Sequence, residues 1–204
     1  MPPKPKYTKD EIVSAAFDLA RQEGVGALTA RGVGKCLGVS SSPIFTVFED
    51  MDELHAAVEA RARALFEGYM AEAEAFTPAF KKRGMQWVKF AQDEPVLFRL
   101  LFMHSEGVVP DFGTSESFIP YGKDTDVAII MHDYHADREQ AEHLFRQMWV
   151  YTYGLCSLCA AKVCRFTDDE ISALLGEVFA GIASLLFPGK AVTVSAMPVK
   201  AAQG

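Results

Sequence analysis

Apolar residues recur at three- and four-residue spacing through almost the whole chain, with no period-two alternation outside the last residues, so the pattern predicts helices throughout. The first opens at Tyr7, Thr8, Glu11 and Ile12, a capping box with its hydrophobic staple, and runs through Val13, Ala16, Phe17 and Ala20 to Gly24. Two short helices follow within 29–48, then a long one over 52–75 carries Leu54, Val58, Ala62, Leu65, Phe66 and Tyr69. Further helices are predicted over 79–92, from Pro95 through VLFRLLFM, and over 124–134, 137–163 and 167–187, the last opened by a second box at Phe166, Thr167, Glu170 and Ile171. The glycines and prolines of 104–123 predict a loop, and the tail 188–204, poor in large apolar groups, a flexible end. The fold class is all-α.

The segment 29–54 is the most informative. Val33, Leu37, Val39, Ile44, Phe45 and Phe48 supply a small apolar core around Gly38, which suits the left-handed turn that ends a helix. Ser40 or Ser41 can cap a following helix that starts near Ser41, and Pro43 is tolerated in its first turn. Short side chains at Ser41, Ser42, Pro43 and Thr46 would let that helix approach base edges and phosphates. Two crossed helices joined by a tight turn read as a helix-turn-helix.

With the capped helix before it and the long helix after it, ALTARGVGKCLGVSSSPIFTVFEDMDEL resembles the amino-terminal domain of the TetR family of bacterial transcription regulators. The resemblance covers roughly the first quarter of the chain. It implies DNA contacts from Thr29, Arg31 and Lys35, from Ser40, Ser41, Ser42 and Pro43, and from Phe45 and Thr46. Phe45 stands where the family usually has a phosphate-binding tyrosine, and Met51 where a lysine is common, so two phosphate contacts are missing.

Charge refines this picture. The chain carries 27 Asp plus Glu against 20 Lys plus Arg, so DNA binding must rest on a local patch. Lys4, Lys6 and Lys9 load the tail before the first helix and form a candidate arm along the duplex, with Lys4 and Lys6 as its phosphate contacts. The bland alternative for each lysine is a solvated surface charge.

Ile171, Leu174, Leu175, Val178, Ile182 and Leu185 form one stripe of the 167–187 helix, and Gly176, Ala180 and Ser184 form a second, small-residue stripe. A helix apolar on two faces is buried twice. Together with Leu155 and Cys159 of the preceding helix, the small stripe is the expected interface of a homodimer, which the resemblance also implies. Two such units would read a palindromic double-stranded operator with recognition elements about 34 Å apart. Glu177 and an apolar run of about seventeen residues argue against a membrane span.

The resemblance further implies a small-molecule effector held among the middle helices. Trp87, Phe90, Phe98 and Phe102, then His104, Tyr121 and His132, then Met148, Trp149, Thr152 and Tyr153 are the candidate lining, suited to a largely apolar or aromatic ligand. Taken singly, an aromatic residue or Met at helical spacing is more often plain core.

Other chemistries find little support. Cys36, Cys156, Cys159 and Cys164 suggest no disulfide framework, and one Cys-x-x-Cys pair within core-like sequence makes no metal site. There is no phosphate-binding glycine loop, nucleophile elbow or zinc-protease motif, so no catalytic residue, metal or cofactor is assigned. MPPKPKYTK leads into an amphipathic helix and not an apolar leader, which fits a cytoplasmic protein. The expected organisation is a helix-turn-helix domain at 1–51, with the motif at about 29–48, a helical ligand-binding and dimerisation domain at 52–187, and the tail. The expected function is a ligand-responsive regulator, a repressor released by its ligand. The alternative is a helical adaptor or a regulator with reduced DNA binding, suggested by Phe45 and the acidic run 49–53.

Overall fold

The computed structural model describes residues 7–76, 78–103 and 121–187. Among them are eight α-helices and no strand: α1 Lys9–Glu23, α2 Ala30–Cys36, α3 Met51–Ala71, α4 Ala79–Asp93, α5 Pro95–Phe102, α6 Lys123–Tyr134, α7 Arg138–Ala160 and α8 Asp168–Leu186. The chain divides into two compact units, one of Met1–Gly68 with Glu94–His104 and one of Tyr69–Asp93 with Ser105–Gly204. Lys4, Lys6, His104, most of the 104–123 loop and the 188–204 tail lie outside the described residues.

In the first unit, α1 starts at the predicted capping box: Thr8 Oγ1 accepts from the Glu11 N–H, and the Glu11 carboxylate accepts from the Thr8 N–H at 2.7 Å. That backbone bond holds the Glu11 carboxyl below its ordinary range. Ile12, Ala16, Val33, Ile44, Leu54, Val58, Ala62 and Phe66 are fully buried, so α1, the 29–48 segment and the inner face of α3 share one core. α5 packs against α1 and continues this core, with Phe66 and Phe98 against Phe102 at 4.9 and 5.3 Å between ring centroids. Arg21 of α1 pairs with the buried Glu94, the residue that precedes α5.

The expected two-helix motif differs in its second half. Only Ile44–Thr46 forms a helical turn, and it is a tight 3₁₀ turn instead of an α-helix. Pro43 has no N–H to donate, the serines and the β-branched Ile44, Thr46 and Val47 are weak helix formers, and Val47 leaves helical geometry at φ −130°. Asp50 then caps α3 by accepting from the Glu53 N–H at 2.8 Å, which ends the segment.

The second unit is a helical bundle in which α7 packs against α4, α6 and α8, and α4 also meets α6 and α8. The predicted box at Thr167 and Glu170 opens α8, and Asp137 with Gln140 opens α7 in the same way. α3 and α7 stop short of their predicted ends. Beyond Ala71 the chain passes into turns closed by Ala73 N–H to Met70 O and Glu74 N–H to Ala71 O. Beyond Ala160, Lys162 takes a left-handed conformation and the Val163 N–H returns to Leu158 O at 2.9 Å. Gln92 of α4 bonds both backbone groups of Phe166 and so fixes the entry to α8. No helix among the described residues is long and apolar enough to cross a membrane, and their His, Cys, Asp and Glu residues form no cluster that could hold a metal ion.

Candidate functional site

α2, the first half of the 29–48 segment, is fixed at both ends by local bonds. Thr29 Oγ1 accepts from the Gly32 N–H at 3.0 Å and starts α2. At the other end Gly38 has φ +66°, its N–H reaches Lys35 O at 3.1 Å, and the Val39 N–H reaches Gly34 O at 2.9 Å. This paired closure folds residues 39–40 back over α2 so closely that a Cβ on Gly34 would lie 2.9 Å from Val39 O. The Tyr7 hydroxyl donates to Leu37 O at 2.8 Å and ties the start of α1 to the same turn.

These restraints bring the expected DNA-contacting residues onto one short, exposed stretch of backbone. Arg31 and Lys35 are exposed one turn apart on α2, followed by exposed Ser40 and Ser42, with Ser41 and Pro43 half-buried. Thr46 is exposed, its hydroxyl donating to Pro43 O at 2.6 Å, and Phe45 leaves 48% of its surface in solvent while Ile44 and Phe48 turn inward. Lys9, by contrast, is engaged: its Nζ lies 2.5 Å from Glu53 Oε1 and 4.8 Å from the Phe48 ring centroid. That bond, with a second from the Glu49 N–H, holds the Glu53 carboxyl below its ordinary range.

In the second unit, Trp87 of α4 meets Trp149 of α7 edge-on at 4.8 Å, and Trp149 meets Tyr153 at 5.6 Å. Met148 and Thr152 are buried on the same helix, and Phe90 is fully buried on α4. Tyr121 is half-buried, whereas His132 turns into solvent beside Asp133. Phe98 and Phe102 belong to the core of the first unit, so the candidate ligand-lining residues fall into two groups.

Sequence reasoning missed a buried polar set on α4. Arg83 and Asp126 of α6 form an ion pair whose side chains are only 6% and 5% exposed. Burial lifts the Asp126 carboxyl to about 6, against the opposing pull of Arg83. Gly122 approaches so closely that a Cβ there would sit 2.8 Å from Arg83 Nη2. A charge interrupting the apolar stripe of α4 was the available signal.

No protein-family model and no curated protein matches the chain. Solved structures do. A TetR-like transcriptional regulator from Rhodococcus sp. RHA1 superposes with a TM-score of 0.61 at 14% identity, covering 86% of this chain and 95% of that one. A second transcriptional regulator from Rhodococcus sp. Rha1 gives 0.57 at 16% identity, covering 87% and 97%. The chain has the TetR-like fold.

Within this TetR-like fold, the residues expected at a dimer interface divide by face. Leu155 and Cys159 are buried inside the second unit, where burial raises the Cys159 thiol to about 11. Gly176 and Ala180 are half-buried and Ser184 is exposed. The large apolar groups left in solvent on these helices are Val150 and Leu158 of α7 and Leu185 of α8, at 48%, 40% and 82%. Val150, Gly154 and Leu158 recur every four residues and so share one outward stripe of α7, rotated from the Leu155 and Cys159 stripe.

Proposed function

We propose that the protein is a ligand-responsive transcriptional regulator, a repressor that binds a palindromic operator as a homodimer and leaves it when a small, largely apolar molecule occupies the second unit. The observation that carries this reading is the closure at Gly34 and Gly38, which holds Arg31, Lys35, Ser40, Ser42, Phe45 and Thr46 on one exposed segment of a TetR-like fold. Arg31 and Lys35 supply phosphate contacts, Lys4 and Lys6 extend them, and the short side chains with Phe45 face base edges. Dimerisation would use the outward stripe of α7 with Leu185, Gly181 and Ser184 of α8. Catalysis has no part in this reading.

A gel shift with the DNA upstream of the gene, against a scrambled duplex at rising salt, tests it. Sequence-selective binding that weakens with salt is expected; equal affinity for both duplexes would overturn operator recognition. A second reading, a helical adaptor with reduced DNA binding, draws on the short 3₁₀ turn and the engagement of Lys9 by Glu53. It predicts weak or no binding to both duplexes.

A further inference from the structure

α4 turns Arg83, Gln86, Trp87 and Phe90 into the interior of the second unit, and the two polar members are treated differently. Arg83 is matched by Asp126. Gln86, 1% exposed, is matched at one end only: Nε2 donates to Glu72 Oε2 at 2.6 Å, and Oε1 has no hydrogen-bond partner among the described residues. The amide cannot be reversed, because that would set Oε1 against the Glu72 carboxylate and strand the N–H groups in the interior. The unmatched atom is therefore an acceptor. An unpaired acceptor in this interior calls for a donor that the described residues do not supply.

Its surroundings narrow the chemistry. One turn further along α4, Phe90 meets Tyr69 edge-on at 5.3 Å, and the neighbouring Trp87 meets Trp149. α6 packs against α4 with Val127 and Ile130 buried. Phe90 lies four residues on from Gln86 and so shares its face of α4, which puts an aromatic side chain one turn from the amide. A carboxylate at Oε1 would set lone pair against lone pair, close to the negative charge of Glu72.

We infer that Gln86 Oε1 is the recognition acceptor of the effector, and that the effector is an apolar molecule ending in an O–H or N–H donor and not in a carboxylate. The inference rests on the ligand-binding part of the function proposed above and specifies what that ligand must carry. A pocket that offers a fixed acceptor discriminates strongly against an isostere lacking the donor.

The test uses the full chain and three probes that share a pentylphenyl body and differ in the para substituent: para-pentylphenol, pentylbenzene and para-pentylbenzoate. The only two tryptophans of the sequence, Trp87 and Trp149, make intrinsic fluorescence a local readout. The phenol is expected to bind about tenfold or more tighter than pentylbenzene, and the benzoate weakest. In Gln86→Met the phenol should fall to the level of pentylbenzene, whose own affinity is unchanged, while the melting temperature holds or rises because an unpaired acceptor is gone. Glu72→Ala, at an exposed position, frees the amide to turn and should raise the affinity for the benzoate. Equal binding of phenol and pentylbenzene, or a donor preference that survives Gln86→Met, would overturn the inference and leave ligand binding intact. Binding of none of the three would overturn both.

Discussion

The backbone N–H of Val39 bonds the carbonyl of Gly34 at 2.9 Å, and this contact sets where the exposed segment from Ser40 to Thr46 begins. Gly34 permits it because it has no side chain: a Cβ would meet Val39 O at 2.9 Å and Ser40 O at 3.0 Å, both backbone atoms that cannot swing aside. Gly34→Ala is expected to destabilise the first unit by about 1–3 kcal/mol and to weaken DNA binding. Lys35→Ala, beside it and exposed, should weaken DNA binding while leaving thermal melting unchanged. Wild-type melting and DNA affinity in Gly34→Ala would show that the close approach is unimportant.

Phe45 is half in solvent on the 3₁₀ turn while its neighbour Ile44 is fully buried, so the two test different properties. Phe45→Ala should reduce discrimination between operator and scrambled DNA, with little change in melting, because an apolar group on this segment suits a thymine methyl. Ile44→Ala should lower stability by about 2–5 kcal/mol. Gel shifts and thermal melts of the two variants separate the outcomes.

Lys9 and Glu53 join the start of α1 to the start of α3. Glu53→Gln should free Lys9 and remove a negative charge next to the DNA-facing segment, raising affinity for duplex DNA most at low salt. A salt titration of binding reads this directly. Unchanged affinity at every salt concentration would show that Lys9 does not reach the duplex.

The buried Arg83 and Asp126 depend on each other. Arg83→Met leaves a carboxylate in the interior and is expected to destabilise by about 3–5 kcal/mol, whereas Arg83→Met with Asp126→Leu should recover most of the loss. pH supplies a second check. The folded carboxyl titrates at about 6 against an ordinary 3.8, so the folded state binds the proton more tightly. Its contribution to stability is full below the ordinary value and is lost as pH rises through about 6. Melting temperatures of wild type and double variant should diverge across that window.

Leu185 and Leu158 expose apolar surface on α8 and α7, and Leu155 does not. Leu185→Glu or Leu158→Glu should yield a folded monomer in sedimentation analysis, while Leu155→Ala should lower the melting temperature without acting through assembly. A dimer that persists in both glutamate variants would show that this face is not the interface.

The features legible in the sequence are those whose partners lie within a helical turn. Thr8 with Glu11 and Thr167 with Glu170 form the boxes their spacing predicts, and Gly38 adopts the left-handed turn that its position between apolar runs requires. The 44–46 turn was less legible because its apolar spacing suits a short α-helix, and only the absent Pro43 N–H, the weak helix formers and the Asp50 cap together make it 3₁₀. Arg83 and Asp126 are 43 residues apart, and no local pattern announces such a pair.

The sequence by itself determined where the capped helices α1 and α8 start and that the chain is all-α, since caps and periodicity are settled by bonds among near neighbours. The tertiary structure decided which stripe of α7 faces inward, which acid neutralises Arg83 and which atom of Gln86 is left without a partner among the described residues. Those outcomes depend on side chains brought together from distant parts of the chain, and burial, unlike helix spacing, is a property of the assembled neighbours.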